Sequence, residues 1–170
     1  MARAVLAFLV FVPLLPACAS WQTAAEVRPG VDFARYRTFT FVPRSEMPPA
    51  DPGMQNEAVA EWLRATIEEG LGGRTLARDD AAPDLRVSFR VSVTDALGET
   101  LWGYGYGARD GGFTTSNYRE GSLVIEVADA RTRERVWLGV ARGVVPTDRD
   151  REERLRGVIG DLLALLPAGR

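Results

Sequence analysis

The chain has 170 residues, of which 46% are hydrophobic and 26% charged, with a formal charge of −2. This is the composition of one globular domain, and it excludes wholesale disorder and a net basic field for nucleic acid. With no histidine, no lysine and a single cysteine, the chain lacks the groups for histidine triads, histidine or cysteine metal centres, lysine-based covalent chemistry and Walker phosphate loops, so no metal or cofactor is implied and carboxylates, hydroxyls and tyrosines remain as acids and bases.

In chain order, Arg3 precedes an apolar run from Ala4 to Leu15, and Leu15-Pro16-Ala17-Cys18 closes it with the only cysteine. The run is too short to cross a bilayer core of roughly 30 Å as a helix, and the order of charge, apolar stretch and small residues is that of a cleaved export signal. It resembles the signal of bacterial lipoproteins, with a lipobox ending at Cys18. That resemblance implies a signal peptide over 1–17, a Cys18 diacylated through its sulfur by palmitate-type chains, and attachment to the membrane through this lipid anchor. Ala19 after the cysteine favours the outer membrane, facing the periplasm. Ala17-Cys18-Ala19 also fits ordinary secretory cleavage, which would leave a soluble periplasmic domain.

Residues 19–30, small and polar up to Pro29-Gly30, read as a tether, so the expected organisation is signal 1–17, lipidated cysteine and tether 18–30, and one domain over 31–170. The alternation of aromatics and threonines between Phe33 and Val42 predicts a first strand. Four prolines between Pro43 and Gly53 make that segment a loop. Val59, Trp62, Leu63, Ile67 and Leu71 recur at helical spacing and predict an amphipathic helix ending near Gly72-Gly73. Asp84 to Asp95 alternates strictly, with Leu85, Val87, Phe89, Val91 and Val93 on one face and Arg86, Ser88, Arg90, Ser92 and Thr94 on the other.

Residues 97–121 are rich in glycine and aromatics and lead to a strand over Ser122 to Ala128, where Leu123, Ile125 and Val127 can face a core. The polar run Asp129 to Glu134 reads as a hairpin connection returning through Arg135 to Val145, with Val136, Leu138 and Val140 inward and Val124, Trp137 and Val144 out of phase. Thr147-x-x-Asp150 resembles a capping box opening a second amphipathic helix, carried by Leu155, Val158, Ile159, Leu162, Leu163 and Leu166 and stopped by Pro167. These elements predict an α+β fold: an antiparallel sheet of about four to five strands with two amphipathic helices on one face, part of the outer face being covered by the glycine-rich segment.

Asp32-Phe33-Ala34-Arg35-Tyr36-Arg37-Thr38-Phe39, Tyr118-Arg119-Glu120-Gly121-Ser122-Leu123-Val124-Ile125-Glu126, Asp129-Ala130-Arg131-Thr132 and Val136-Trp137 occur in this order across nearly the whole of the chain after the signal. On these segments the chain resembles the DUF4136 family of bacterial lipoproteins. The family carries no established activity, so the resemblance bears on fold and location.

Candidate ligand-binding residues are Trp102, Tyr104 and Tyr106, whose alternation with glycine would align three rings on one side of an extended chain, with Trp137 beneath them. Arg86 and Arg90, on one strand face, could bind anionic groups. No catalytic residue is singled out: Asp95, Glu99, Asp110, Glu120 and Glu126 show no spacing that makes two of them converge. The expected function is therefore a non-enzymatic binding or scaffolding role in the cell envelope, with an envelope protein, peptide or glycan as partner. The alternative is a carboxylate-dependent hydrolase acting on cell-wall glycan. A buried acidic pair beside the aromatics would favour the enzyme, and an apolar groove without acids would favour binding.

Overall fold

The computed structural model describes residues 21–46, 57–102, 112–147 and 149–168. Cys18, most of the proline-rich loop, Tyr104, Tyr106 and Asp110 lie outside the described residues.

Six strands and two helices follow in order: β1 Gln22–Val27, β2 Thr38–Phe41, α1 Glu57–Gly72, β3 Ala77–Arg78, β4 Leu85–Trp102, β5 Gly112–Asp129, β6 Arg135–Val144 and α2 Arg151–Ala164. They form one sheet in the order β1-β6-β5-β4-β2-β3. The fold is α+β as expected, but the sheet has six strands and is mixed, because β2 runs parallel to both β3 and β4. The chain reaches β4 from β2 through α1, a crossover of the kind that parallel pairing requires. The first strand is shorter than expected because Phe33–Arg35 forms a 3-10 turn capped by the Asp32 side chain.

Part of the segment read as a tether is a strand. β1 pairs antiparallel with β6 from Gln22↔Arg142 to Val27↔Trp137, so the domain begins earlier than residue 31. An edge strand needs a partner's backbone more than an apolar alternation of its own, so composition alone did not reveal it.

The core gathers Leu85, Val87 and Phe89 of β4, Leu123, Ile125 and Val127 of β5, Leu63, Ile67 and Leu71 of α1, and Ile159, Leu162 and Leu163 of α2 into one cluster. The inward faces of β4 and β5 are those the alternation predicted. That of β6 is not. The register passes from Val127↔Trp137 to Ala128↔Arg135, so Val136 is the extra residue of a β-bulge, and from there on Trp137, Gly139 and Ala141 face the core. Because side chains alternate with period two, a one-residue offset sends the expected Leu138 and Val140 to the outer face. Arg28 N–H donates to the Val136 carbonyl at 2.9 Å, tying the bulge to the end of β1.

Trp137 is fully buried and its indole N–H donates to the Leu165 carbonyl at 3.4 Å. Its ring lies over Gly139, where a Cβ would stand 2.2 Å from Trp137 Cη2. Gly139→Ala therefore has to evict the ring and should cost about 1–3 kcal/mol in urea unfolding. In contrast Gly157→Ala, inside α2 with nothing within 4 Å of the added methyl, should stabilise by about 0.5–1 kcal/mol. Equal effects would contradict this packing.

The β5–β6 connection turns around Asp129, which is 5% exposed. Its Oδ1 accepts from the N–H groups of Arg131 (3.0 Å) and Thr132 (2.9 Å), and its Oδ2 accepts from Arg35 (2.6 Å) and the Tyr36 hydroxyl (3.0 Å). Two of the segments that carried the family resemblance thus meet in one clasp. Burial alone would push the Asp129 carboxyl up, but the Thr132 N–H, the Tyr36 hydroxyl, the Arg131 N–H and the Arg35 charge outweigh it and hold the group below its ordinary value. A depressed carboxyl stabilises the fold above the unfolded-state pKa and loses that contribution as pH falls through the folded-state value. Asp129→Asn should cost about 2–3 kcal/mol at neutral pH, and its deficit against the natural protein should shrink below the ordinary carboxylate range when unfolding is followed across pH.

A candidate ligand groove between the helix N-termini

The helices make a close approach at Gly70, where an added Cβ would clash with the Leu163 side chain, 2.4 Å from its Cδ1. Nearby, Arg156 bridges them, pairing with Glu69 at 2.8 Å and standing 5.9 Å from the centre of the Trp62 ring. Toward their N-terminal turns the core does not close. There a groove of about 490 Å³ is lined by α1 through Ala58, Val59, Trp62 and Leu63, and by α2 through Leu155, Val158 and Ile159. Its floor is the sheet, through Val91, Val93, Gly121, Ser122 and Leu123, and Trp21 and Val145 wall one side. The volume falls within the range of small-molecule sites, about 300–1,000 Å³, which are mostly apolar with a few polar groups.

Trp21 owes its position to two glycines. It precedes β1 opposite Gly143 and lies flat on the inward face, so that a Cβ at Gly143 would sit 2.7 Å from Trp21 Cγ and one at Gly121 would sit 3.0 Å from Trp21 Cη2. Gly121, in the segment that carried the family resemblance, is therefore part of the seat for this indole and of the groove floor.

The lining is aliphatic and aromatic, with Arg119, Arg151 and Glu152 as its charged members, all three exposed at the rim. The indole N–H groups of both Trp21 and Trp62 are removed from solvent and have no acceptor among the described residues. An unsatisfied buried donor costs on the order of 1–3 kcal/mol, so both indoles are held in place by the packing around their rings. Val59 and Val93 are 39% and 36% exposed, which leaves apolar surface at the mouth.

The residues singled out from sequence do not converge on this groove. Trp137 is in the core, spent on Gly139 and Leu165. Trp102 is paired in register with Gly112 at the far end of a β4–β5 ribbon, and Tyr104 and Tyr106 fall outside the described residues. Arg86 donates to Glu46 at 2.5 Å beside a shallow, open depression that Arg131 and Arg133 also line, whereas Arg90 is exposed on the outer face opposite Val124. Conversely, Val59, Trp62, Leu155 and Val158 belong to the apolar stripes that the helical spacing located. Their membership of a groove depends on where the helices separate, which spacing does not encode.

The match to a family model decides what this arrangement belongs to: residues 23–168 fit the domain of unknown function DUF4136. The chain belongs to the DUF4136 family. No curated protein matches it. Among solved structures it is similar to a PDZ domain protein from Parabacteroides distasonis, at 17% identity and a TM-score of 0.56 over 89% of this chain. The chain spans 38% of that protein's length. It is also similar to PelC from Paraburkholderia phytofirmans, solved as a dodecamer, with 12% identity and a TM-score of 0.52 over 87% of this chain and 99% of that one. A point variant of the same PelC dodecamer gives 11% identity and a TM-score of 0.54. At these identities the likeness is one of fold.

Gly143→Ala tests the seat of Trp21. The added methyl should lift the indole from the sheet, shifting tryptophan emission to longer wavelength while the far-ultraviolet circular dichroism stays unchanged. An unshifted spectrum would mean that Trp21 does not lie on Gly143.

Proposed function

We propose that this DUF4136 protein is a lipid-anchored protein of the outer membrane, facing the periplasm, whose domain binds the apolar part of an envelope amphiphile or peptide and performs no chemistry on it. The observation that supports this reading is the groove itself, an apolar space of about 490 Å³ walled in part by two indoles, Trp21 and Trp62. Each methylene taken from water into such a space contributes about 0.8 kcal/mol. The two rim arginines against one rim glutamate suit an anionic or acceptor-bearing head. Hydrolysis of a glycan needs two carboxyl groups, and the groove lining supplies one, Glu152, which favours binding over the hydrolase.

The domain would stand close to the membrane. Since β1 is fixed from Gln22, a lipidated Cys18 precedes the sheet by only a few residues, in place of the longer tether that composition suggested.

The test is titration of the purified Cys18→Ser protein, which carries no thiol-linked acyl chain of its own, with cis-parinaric acid, a fluorescent fatty acid. Leu155→Glu puts a carboxylate into the groove wall and should weaken binding at least tenfold, about 1.4 kcal/mol, while Arg90→Ser on the opposite sheet face should leave it unchanged. Absence of binding to the Cys18→Ser protein, or equal binding after either further substitution, would overturn the proposal.

A further inference from the structure

The groove has an occupant within reach on its own chain. The first register pair of β1 is Gln22↔Arg142, and Trp21, the residue before it, is a groove wall. Cys18 lies three residues ahead of Trp21 in the sequence. At about 3.3–3.6 Å per residue, even a fully extended chain keeps its Cα within roughly 10 Å of that of Trp21. An acyl chain on the Cys18 sulfur is therefore within reach of the groove, and the apolar surface at Val59 and Val93 lies at its opening.

From this placement, and resting on the reading of Cys18 as lipidated, we propose that one acyl chain of Cys18 lies in the groove of its own domain, between α1, α2 and the sheet, with Trp21 as the wall it passes. The neutral hydrocarbon matches the aliphatic and aromatic lining of the groove. Tethering also favours this occupant over a free amphiphile, because a ligand held by a short linker is present at a local concentration on the order of millimolar without any being added. The consequence bears on anchoring. A single acyl chain holds a protein to a bilayer only marginally and reversibly, and two hold it lastingly, so a chain taken into the groove weakens attachment and one released strengthens it.

The experiment is metabolic labelling of cells with a fatty acid carrying a terminal diazirine. The full-length protein is then extracted and its intact mass measured, and after irradiation the cross-linked peptides are mapped by mass spectrometry. The expected result is acyl mass on Cys18 and an intramolecular cross-link to peptides containing Val91 or Val93 of β4, or Leu155 or Val158 of α2. Val93→Trp, which fills the mouth from a half-exposed strand position, should lose that cross-link while keeping the acyl mass, and Arg90→Ser should retain both. Acyl mass with cross-links confined to lipid overturns the inference and leaves the lipoprotein reading standing. A cross-link joining two copies replaces the intramolecular occupant by a neighbour's chain and also overturns it. An unmodified Cys18 overturns both readings, while cis-parinaric acid binding would still report on the groove alone.

Discussion

The bulge at Val136 sets the phase of β6, and the inner surface of the sheet depends on it. Had β6 continued the plain alternation of its sequence, Leu138 and Val140 would have followed the buried Val136 toward the core. The extra residue instead turns Trp137, Gly139, Ala141 and Gly143 inward, a row of one large and three small side chains. Two indoles then cover the small positions: Trp137 folds over Gly139, and Trp21, brought alongside by β1, lies over Gly143 and Gly121. α2 packs on this surface, and the Trp137 N–H reaches the end of that helix at Leu165.

The groove follows from the same geometry. At one end the helices are drawn together by Gly70 and Leu163, and at the other they line an opening whose floor on the sheet is Val91, Val93, Gly121, Ser122 and Leu123. The glycine, inward between two valines and a leucine, leaves space beneath the two helix N-termini. The same residue, Gly121, that admits Trp21 to the sheet thus also leaves volume for a ligand, so part of the sequence pattern shared with the family has a dual physical cause.

The Asp129 clasp has the opposite character. Its carboxylate is fully used by two backbone donors, a phenol and a guanidinium, and nothing is left over for a ligand. It joins the turn after β5 to the segment before β2 and so fixes two distant parts of the chain, which identifies Arg35, Tyr36 and Asp129 as residues of architecture. Arg86, anchored by Glu46, is likewise engaged within the fold.

Local pattern was enough to place both helices, the inward faces of β4 and β5 and the turn between β5 and β6, because periods of 3.6 and 2 are written in consecutive residues. The order of motifs was enough to place the chain in DUF4136. Parallel pairing of β2, the edge strand β1 and the bulge are decided by partners far away in sequence, since each is a choice of which backbone groups satisfy which. The groove lies further still from the sequence: its residues are an ordinary part of two apolar stripes and one strand face, and they become a site only because the packed helices leave the sheet uncovered beneath their first turns.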